Sequence, residues 1–286
     1  MKAIVTGATS GIGKEIAREL ARRGVHVGIV GRNPAKTAAT ADELRASVPD
    51  AEIETYHADL SELGDVRALA DELHRRNDRI DVLVNNAGIN SSIPIVTSDG
   101  FDVMLATNYL APFLLTNLVT DLLKAGAPSR VVNVASEAHR ASDRIDVDHI
   151  RDFVPMGVVG GNRLYGRTKL ELILFTQELA RRLEGTGVTA NAVCPGLVAT
   201  NLAGEASPFT RVAAAMSRTP LVRRPEQGAR MPVRLASDPA FERTTGEFFS
   251  STPGARLIPA HPARRDRALQ TELWARTADL VGLGAP

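Results

Sequence analysis

Short apolar runs with the character of buried strands recur along this chain at Ala3–Thr6, Val25–Val30, Ile53–His57, Val82–Val84, Val131–Ala135 and Val188–Val193. Between them lie segments whose apolar residues return every three or four positions, the period of a helix with one buried face: Ile12–Arg23, Ala35–Ser47, Glu62–Arg76, Val103–Lys124 and Leu164–Leu183. Strand and helix therefore alternate. Strands joined this way must be reached by crossing over the sheet, and such crossovers are right-handed, so the strands run parallel and helices cover both faces. The pattern predicts an α/β fold, a doubly wound parallel sheet of at least six strands in a three-layer α/β/α sandwich. At 286 residues the chain is long for one domain, but sandwiches of this size form a single core, and one domain over 1–286 is expected.

This sandwich is the Rossmann fold, in which ligands bind beyond the carboxyl ends of the strands. Charge is balanced, with 34 Lys and Arg against 33 Asp and Glu, which gives no field to attract nucleic acid or an anionic membrane. The Arg-Arg pairs at 22–23, 75–76 and 181–182 end predicted helices, where cations complement the partial negative charge of the last carbonyls. A single cysteine, Cys194, excludes an intrachain disulfide and fits a reducing compartment. Gly7, Gly11 and Gly13 interrupt any early run that could serve as a signal sequence, and no stretch of about 18 apolar residues could span a bilayer. The expected location is cytoplasmic.

Thr6-Gly7-Ala8-Thr9-Ser10-Gly11-Ile12-Gly13 follows the first strand and opens the first helix. Glycines there allow a tight turn and close backbone approach to a pyrophosphate, and the helix start supplies free N–H donors and positive potential. The Walker loop is excluded because no Gly-Lys-Ser/Thr ending follows. In NAD enzymes an acid about 20 residues further on holds the adenosine ribose, whereas an arginine accommodates a 2′-phosphate. No Asp or Glu occurs between Glu19 and Asp42, and the second strand ends in Gly31-Arg32-Asn33, with Lys36 one turn on. A guanidinium can make two charge-assisted bonds to a phosphate, so NADP(H) is favoured over NAD.

Tyr165 and Lys169 lie four apart and share one face of a helix. That pair alone is a weak signal. It gains weight from Ser136 after one apolar strand, Asn85-Asn86-Ala87-Gly88 after another, and Pro195-Gly196 with Val198 and Thr200 after a third. Together with the glycine spacing, these elements resemble the short-chain dehydrogenase/reductase family over nearly the whole chain. The long Ser136–Tyr165 spacing and Glu226-Gln227-Gly228-Ala229 look like its branch of retinol dehydrogenases and related carbonyl reductases. The resemblance implies an NADPH-dependent oxidoreductase acting on a carbonyl or alcohol of a small, apolar molecule. It assigns cofactor contacts to Gly7, Thr9, Ser10, Gly11, Ile12 and Gly13, to Arg32 and Asn33, and to Asp59 and Leu60 at the adenine. It places Asn86, Ala87 and Gly88 on the nicotinamide side, with Pro195, Gly196, Val198 and Thr200 around the carboxamide.

By the same resemblance Tyr165 is the proton donor and Ser136 a hydrogen-bond donor to the substrate oxygen. Lys169 holds the nicotinamide ribose and favours the phenolate, and Asn108 holds a water that leads to solvent. Charge on the oxygen must be stabilised and then protonated, which these residue types can do. The six histidines lack ligand spacing, so no metal is expected and a zinc-dependent dehydrogenase is disfavoured.

The helical pattern loosens at Glu137–Asn162 and Asn201–Arg224, and these loops, carrying Phe153, Met156, Val158, Val159, Leu202 and Phe209, are expected to wall an apolar substrate pocket. Pro232 should kink or shorten a late helix. A nucleotide-sugar epimerase needs a different glycine spacing, and a non-catalytic NADP sensor would typically lose Tyr165 or Lys169. Imine reduction by the same residues, and the choice between monomer and homodimer, stay open.

Overall fold

The computed structural model describes residues 1–153, 157–198 and 222–284. Among them seven strands form one sheet in the order β3-β2-β1-β4-β5-β6-β7: Lys2–Thr6 (β1), His26–Gly31 (β2), Ile53–His57 (β3), Val82–Asn85 (β4), Ser129–Val134 (β5), Val188–Cys194 (β6) and Phe248–Ser250 (β7). Every pairing is parallel. The chain moves outward from β1 to β3, returns to pair β4 with β1, and proceeds the other way. That reversal opens a crevice beyond the ends of β1 and β4, where ligands bind in sheets of this kind.

Alternation of side chains along each strand divides the core in two. On one face Ala3, Val5, Val27, Ile29, Val82 and Val84 pack against α1 (Gly11–Arg22), α2 (Pro34–Ser47) and a late helix, Pro225–Ser237. On the other, Ile4, Val30, Leu83, Val131 and Ala190 pack against α3 (Leu63–Arg76) and the long helix Val158–Arg182. Phe113, Phe175 and Trp274 join that face, with the Phe113 and Trp274 ring centroids 4.9 Å apart, and fix the C-terminal helix Arg267–Leu280. The paired arginines do end α1, α3 and the long helix, as expected.

The expected helix over Val103–Lys124 is four pieces: α4 (Val103–Leu105), a π-helical turn (Ala106–Leu110), α5 (Ala111–Leu118) and α6 (Thr120–Ala125). Pro112 contributes to the break, because proline lacks the N–H that would continue the bonding of the preceding turn. In chain order the later helices are α7 (Val158–Arg182), α8 (Pro225–Ser237) and α9 (Arg267–Leu280). Pro232 does not end α8, which runs on to Ser237. The carbonyl its ring faces belongs to Gly228, four residues back, which carries no side chain to add to the crowding.

The loosened stretch is also shorter than the sequence indicates. Glu137–Ala141 form a short 3₁₀ helix, and α7 already begins at Val158, so the segment between elements is 142–157, of which 154–156 lie outside the described residues. Most of the second expected substrate loop, with Leu202 and Phe209, lies outside them too, as do Met156 and Thr200. Among the described residues no helix is long and apolar enough to cross a membrane.

Candidate active site

A cleft of about 680 Å³ opens at the carboxyl ends of the strands. Its floor is the turn from β1 into α1. Gly7 and Gly11 adopt positive φ, 63° and 55°, a backbone that side chains disfavour. A Cβ on Gly7 would also stand 2.8 Å from the Ala87 Cα, so the turn after β1 and the segment after β4 touch with no room between them. Thr6 locks this contact: its hydroxyl oxygen accepts from the Asn86 N–H at 3.0 Å and the Ala87 N–H at 3.1 Å. Asn86 Nδ2 donates back to the Thr6 carbonyl at 2.9 Å. Thr6 opens the glycine motif in the sequence, but its bracing role is not among the expected contacts, although a threonine ending a buried strand directly before the glycine turn is a readable signal.

The glycine turn residues Gly7, Thr9, Ser10, Gly11, Ile12 and Gly13 all border the cleft. So do Arg32, Asp59 and Leu60 on one side, and Asn86, Ala87, Gly88, Ser136, Tyr165, Lys169, Pro195, Gly196 and Val198 on the other. The Arg32 side chain is 77% exposed, with Nη1 3.5 Å from Asp59 Oδ2. Asp59 Oδ1 meanwhile accepts from the Ser61 N–H and hydroxyl. Asn33, expected beside the cofactor, does not border the cleft. It caps α2, its Oδ1 accepting from the Lys36 N–H at 2.9 Å, the usual use of asparagine before a helix.

Ser136 and Tyr165 come from different elements. Ser136 follows β5 and caps the 3₁₀ helix, its Oγ accepting from the Ala138 N–H at 3.1 Å. That bond occupies an acceptor position and leaves the hydroxyl proton to be given elsewhere. Tyr165 projects from α7 and is 9% exposed, and Lys169, one turn on, is 3% exposed, with Nζ donating to the Val134 carbonyl at 2.9 Å. Burial pushes the Tyr165 phenol up to about 12, against the pull of a hydrogen bond with Ser136, and drops Lys169 to about 8. Among the protein's own groups, burial outweighs the pull toward phenolate that an ammonium and a cationic nicotinamide together are expected to exert. Nζ lies 5.7 Å from the ring centroid, and desolvation disfavours the charged form of both groups.

Asn108 sits on the π-helical turn, fully buried, and does not border the cleft. Its Oδ1 accepts from the Ile89 N–H at 2.8 Å, and Nδ2 donates to the Ile89 carbonyl and the Thr168 hydroxyl. It ties the segment after β4 to α7 beside Lys169. A Cβ on Gly88 would lie 3.2 Å from both Asn108 Oδ1 and Lys169 Nζ, which shows how closely these elements meet.

Phe153, Val158 and Val159, expected in the substrate wall, are more than half exposed, and none borders the cleft. Beyond the residues of the cofactor motifs, Ile89 after β4, Val103 at the start of α4 and Leu197 after β6 add apolar surface to the cleft, and none of them comes from the insertion.

The cleft fits a nicotinamide dinucleotide. The glycine turn leaves space that side chains would fill, the α1 N-terminus faces it, Arg32 and Asp59 stand at one end, and a buried Lys169 with unused donors stands at the other. Residues 1–144 match the family model for short chain dehydrogenases, and 153–254 match that for enoyl-(acyl carrier protein) reductases. Human retinol dehydrogenase 13 is 37% identical over 287 residues, covering 99% of this chain and 85% of that protein. A solved structure of a protein from Mycobacterium Paratuberculosis superposes with a TM-score of 0.74 at 29% identity, covering 98% of this chain and 93% of that one. A blue fluorescent protein from a metagenomic library, solved in complex with NADPH, gives 0.69 at 28% identity over 88% and 96%. Together with the parallel seven-stranded sheet, these likenesses make the chain an oxidoreductase of the short-chain dehydrogenase/reductase family, in the retinol-dehydrogenase-like branch.

Proposed function

We propose that this protein is an NADPH-preferring reductase of carbonyl groups on small, apolar organic molecules, with Tyr165 as proton donor. The observation that carries the reading is one cleft bordered at one end by Arg32 and at the other by Ser136, Tyr165 and Lys169. A reduced nicotinamide bound there supplies hydride. The glycine turn and the α1 N-terminus hold the pyrophosphate, Arg32 meets the 2′-phosphate, and Lys169 donates to the nicotinamide ribose. Ser136, whose Oγ already accepts from Ala138, gives its proton as a hydrogen bond to the substrate oxygen and stabilises the charge that develops there. Tyr165 then protonates that oxygen.

With the phenol held near 12 by burial, Tyr165 carries its proton across the neutral range, the form that reduction consumes. Alcohol oxidation needs the phenolate, so it gains as pH rises. Support for an apolar substrate comes from Ile89, Val103 and Leu197 at the cleft and from relatives named as retinol dehydrogenases. The test is a panel of ketones, aldehydes and imines assayed with NADPH and with NADH. Ketones of increasing apolar size should gain in kcat/KM by about 0.8 kcal/mol per buried methylene. Tyr165→Phe should lose about 100-fold or more in turnover while retaining NADPH binding. Equal use of NADH, or a Tyr165→Phe variant near wild-type activity, overturns the reading.

A further inference from the structure

We infer that His139 is a positioning residue that fixes Ser136 through its main chain. The inference rests on Ser136 acting on the substrate oxygen, and it assigns to His139 the task of holding that serine's peptide still. His139 is fully buried three residues beyond Ser136, on the 3₁₀ helix that Ser136 caps. Its Nδ1 lies 2.7 Å from the Ser136 carbonyl oxygen. A carbonyl only accepts, so Nδ1 carries the hydrogen, and the tautomer is settled by chemistry. The same carbonyl also accepts from the His139 N–H at 3.2 Å. Ser136 is therefore gripped at both ends: its hydroxyl oxygen by the Ala138 N–H, its carbonyl by the backbone and ring of His139.

The ring cannot swing away. Its centroid is 4.9 Å from that of Phe248 on β7, at 69°, an edge-on contact, and the Arg264 guanidinium covers Phe248 at 4.8 Å. Nε2 is buried with no hydrogen-bond partner among the described residues, so a second proton there would have no acceptor. Burial pushes the imidazole down to about 4; the hydrogen bond to the Ser136 carbonyl and the charge of Glu137 pull the other way, the positive charges of Arg264 and Arg140 add to the lowering, and burial prevails. His139 is thus a neutral, single-tautomer donor throughout the working pH range. A water-exposed histidine would alternate tautomers and protonation states, and the grip on Ser136 would alternate with them.

The chain supports the ring from outside as well. Glu137 pairs with Arg140, and Arg140 donates to the carbonyls of Ala255, Ile258 and Pro259, tying the 3₁₀ helix to the segment after β7. A turn anchored only by its own three-residue hydrogen bonds would be poorly fixed, because such bonds are strained in direction. Loosening it by a fraction of an ångström moves the Ser136 hydroxyl relative to Tyr165, and reaction rates are steep in such displacements.

The test pairs two substitutions with one spectroscopic measurement. His139→Leu removes the donor and keeps an apolar filling against Phe248. His139→Asn restores an N–H close to the position of Nδ1. His139→Leu should lower kcat by about tenfold, with the NADPH dissociation constant within about twofold of wild type, and His139→Asn should recover most of that loss. A purely structural role predicts parallel losses in kcat and cofactor binding and no rescue by asparagine, and either result overturns the inference. Nitrogen-15 NMR of the wild-type histidines reads the same proposal without turnover. The His139 ring should show a protonated Nδ1, a bare Nε2 and no titration between pH 5.5 and 8, a window placed well above the depressed value of about 4. An Nε2–H tautomer, or titration near the ordinary value of 6.5, overturns it. If the protein turns over no carbonyl with NADPH while the ring shows the stated tautomer, the proposed reaction fails and the grip on the Ser136 peptide stands.

Discussion

Gly166→Ala tests how the two halves of the site are held in register. Gly166 follows Tyr165 on α7, where the helix crosses the 3₁₀ turn that begins at Ser136. A Cβ on Gly166 would stand 2.6 Å from the Ala138 carbonyl oxygen, whereas ordinary contact begins near 3.4 Å. The two elements must therefore part by about 0.8 Å, the difference between those distances. Little of this can be absorbed on the far side of α7, where Leu170, Leu172, Ile173 and Leu174 are essentially fully buried in a packed core. The displacement falls on the separation between Ser136 and Tyr165. Since a misplacement near 1 Å can cost about 100-fold in rate, kcat should fall by about 10- to 100-fold. Alanine is also the better helix former by about 1 kcal/mol, which offsets strain and keeps the variant folded. Steady-state kinetics with a reactive ketone, NADPH titration by fluorescence, and the thermal midpoint separate the effects. The expected result is a lost kcat with NADPH affinity within about twofold of wild type. A kcat within twofold of wild type would refute the claim that this contact sets the catalytic spacing.

Arg32→Ala should weaken NADPH by about tenfold, about 1.4 kcal/mol, and leave NADH unchanged. The effect is placed below that of a desolvated pair because the side chain is largely exposed, and equal losses for both cofactors in paired titrations would argue against a 2′-phosphate contact. Glu171 is buried on α7 with Arg167 Nε 3.5 Å away, and burial raises its carboxyl from 4.5 to about 7. The unfolded chain therefore loses this proton at lower pH than the folded one, so stability falls as pH rises from about 4.5 through 7 and is unaffected by this group below that window. Glu171→Gln should match wild type in urea-unfolding free energy at and below about pH 4.5 and exceed it at pH 8, by up to about 3 kcal/mol. A variant less stable than wild type at pH 8 would mean that the Arg167 pair outweighs burial.

The fold was legible because its evidence is periodic. Strands buried on both faces read as unbroken apolar runs, and β3 was bounded to the residue at Ile53–His57. β7 escaped because it has three residues, each half-buried, and pairs only along β6, so neither length nor alternation marks it. The break of Val103–Lys124 into four pieces escaped for a different reason. The apolar residues around Asn108 keep helical spacing through a π turn, and periodicity does not register one residue of extra winding.

At the site, motifs identified side chains that border the cleft but not what each does for its neighbours. Ser136, Tyr165 and Lys169 could be named from spacing, since chemistry restricts those positions to few residue types. Asn33 caps a helix, and the Asn108 side chain holds both backbone groups of Ile89 and the Thr168 hydroxyl; no pattern distinguishes an amide facing a ligand from one facing a peptide. Phe153, Val158 and Val159 stand away from the cleft, because apolar composition alone does not say which way a segment faces. The direction of the Tyr165 shift was unreadable for the same reason. Sequence places an ammonium four residues from a phenol, but which one dominates depends on how much water the fold removes from both. Here nearly all of it is removed, so the isolated pair is driven toward neutral phenol and neutral amine. A cationic nicotinamide would be the added charge that pulls the phenol back toward ionisation, which makes the proton inventory of Tyr165 depend on the redox state of the cofactor beside it.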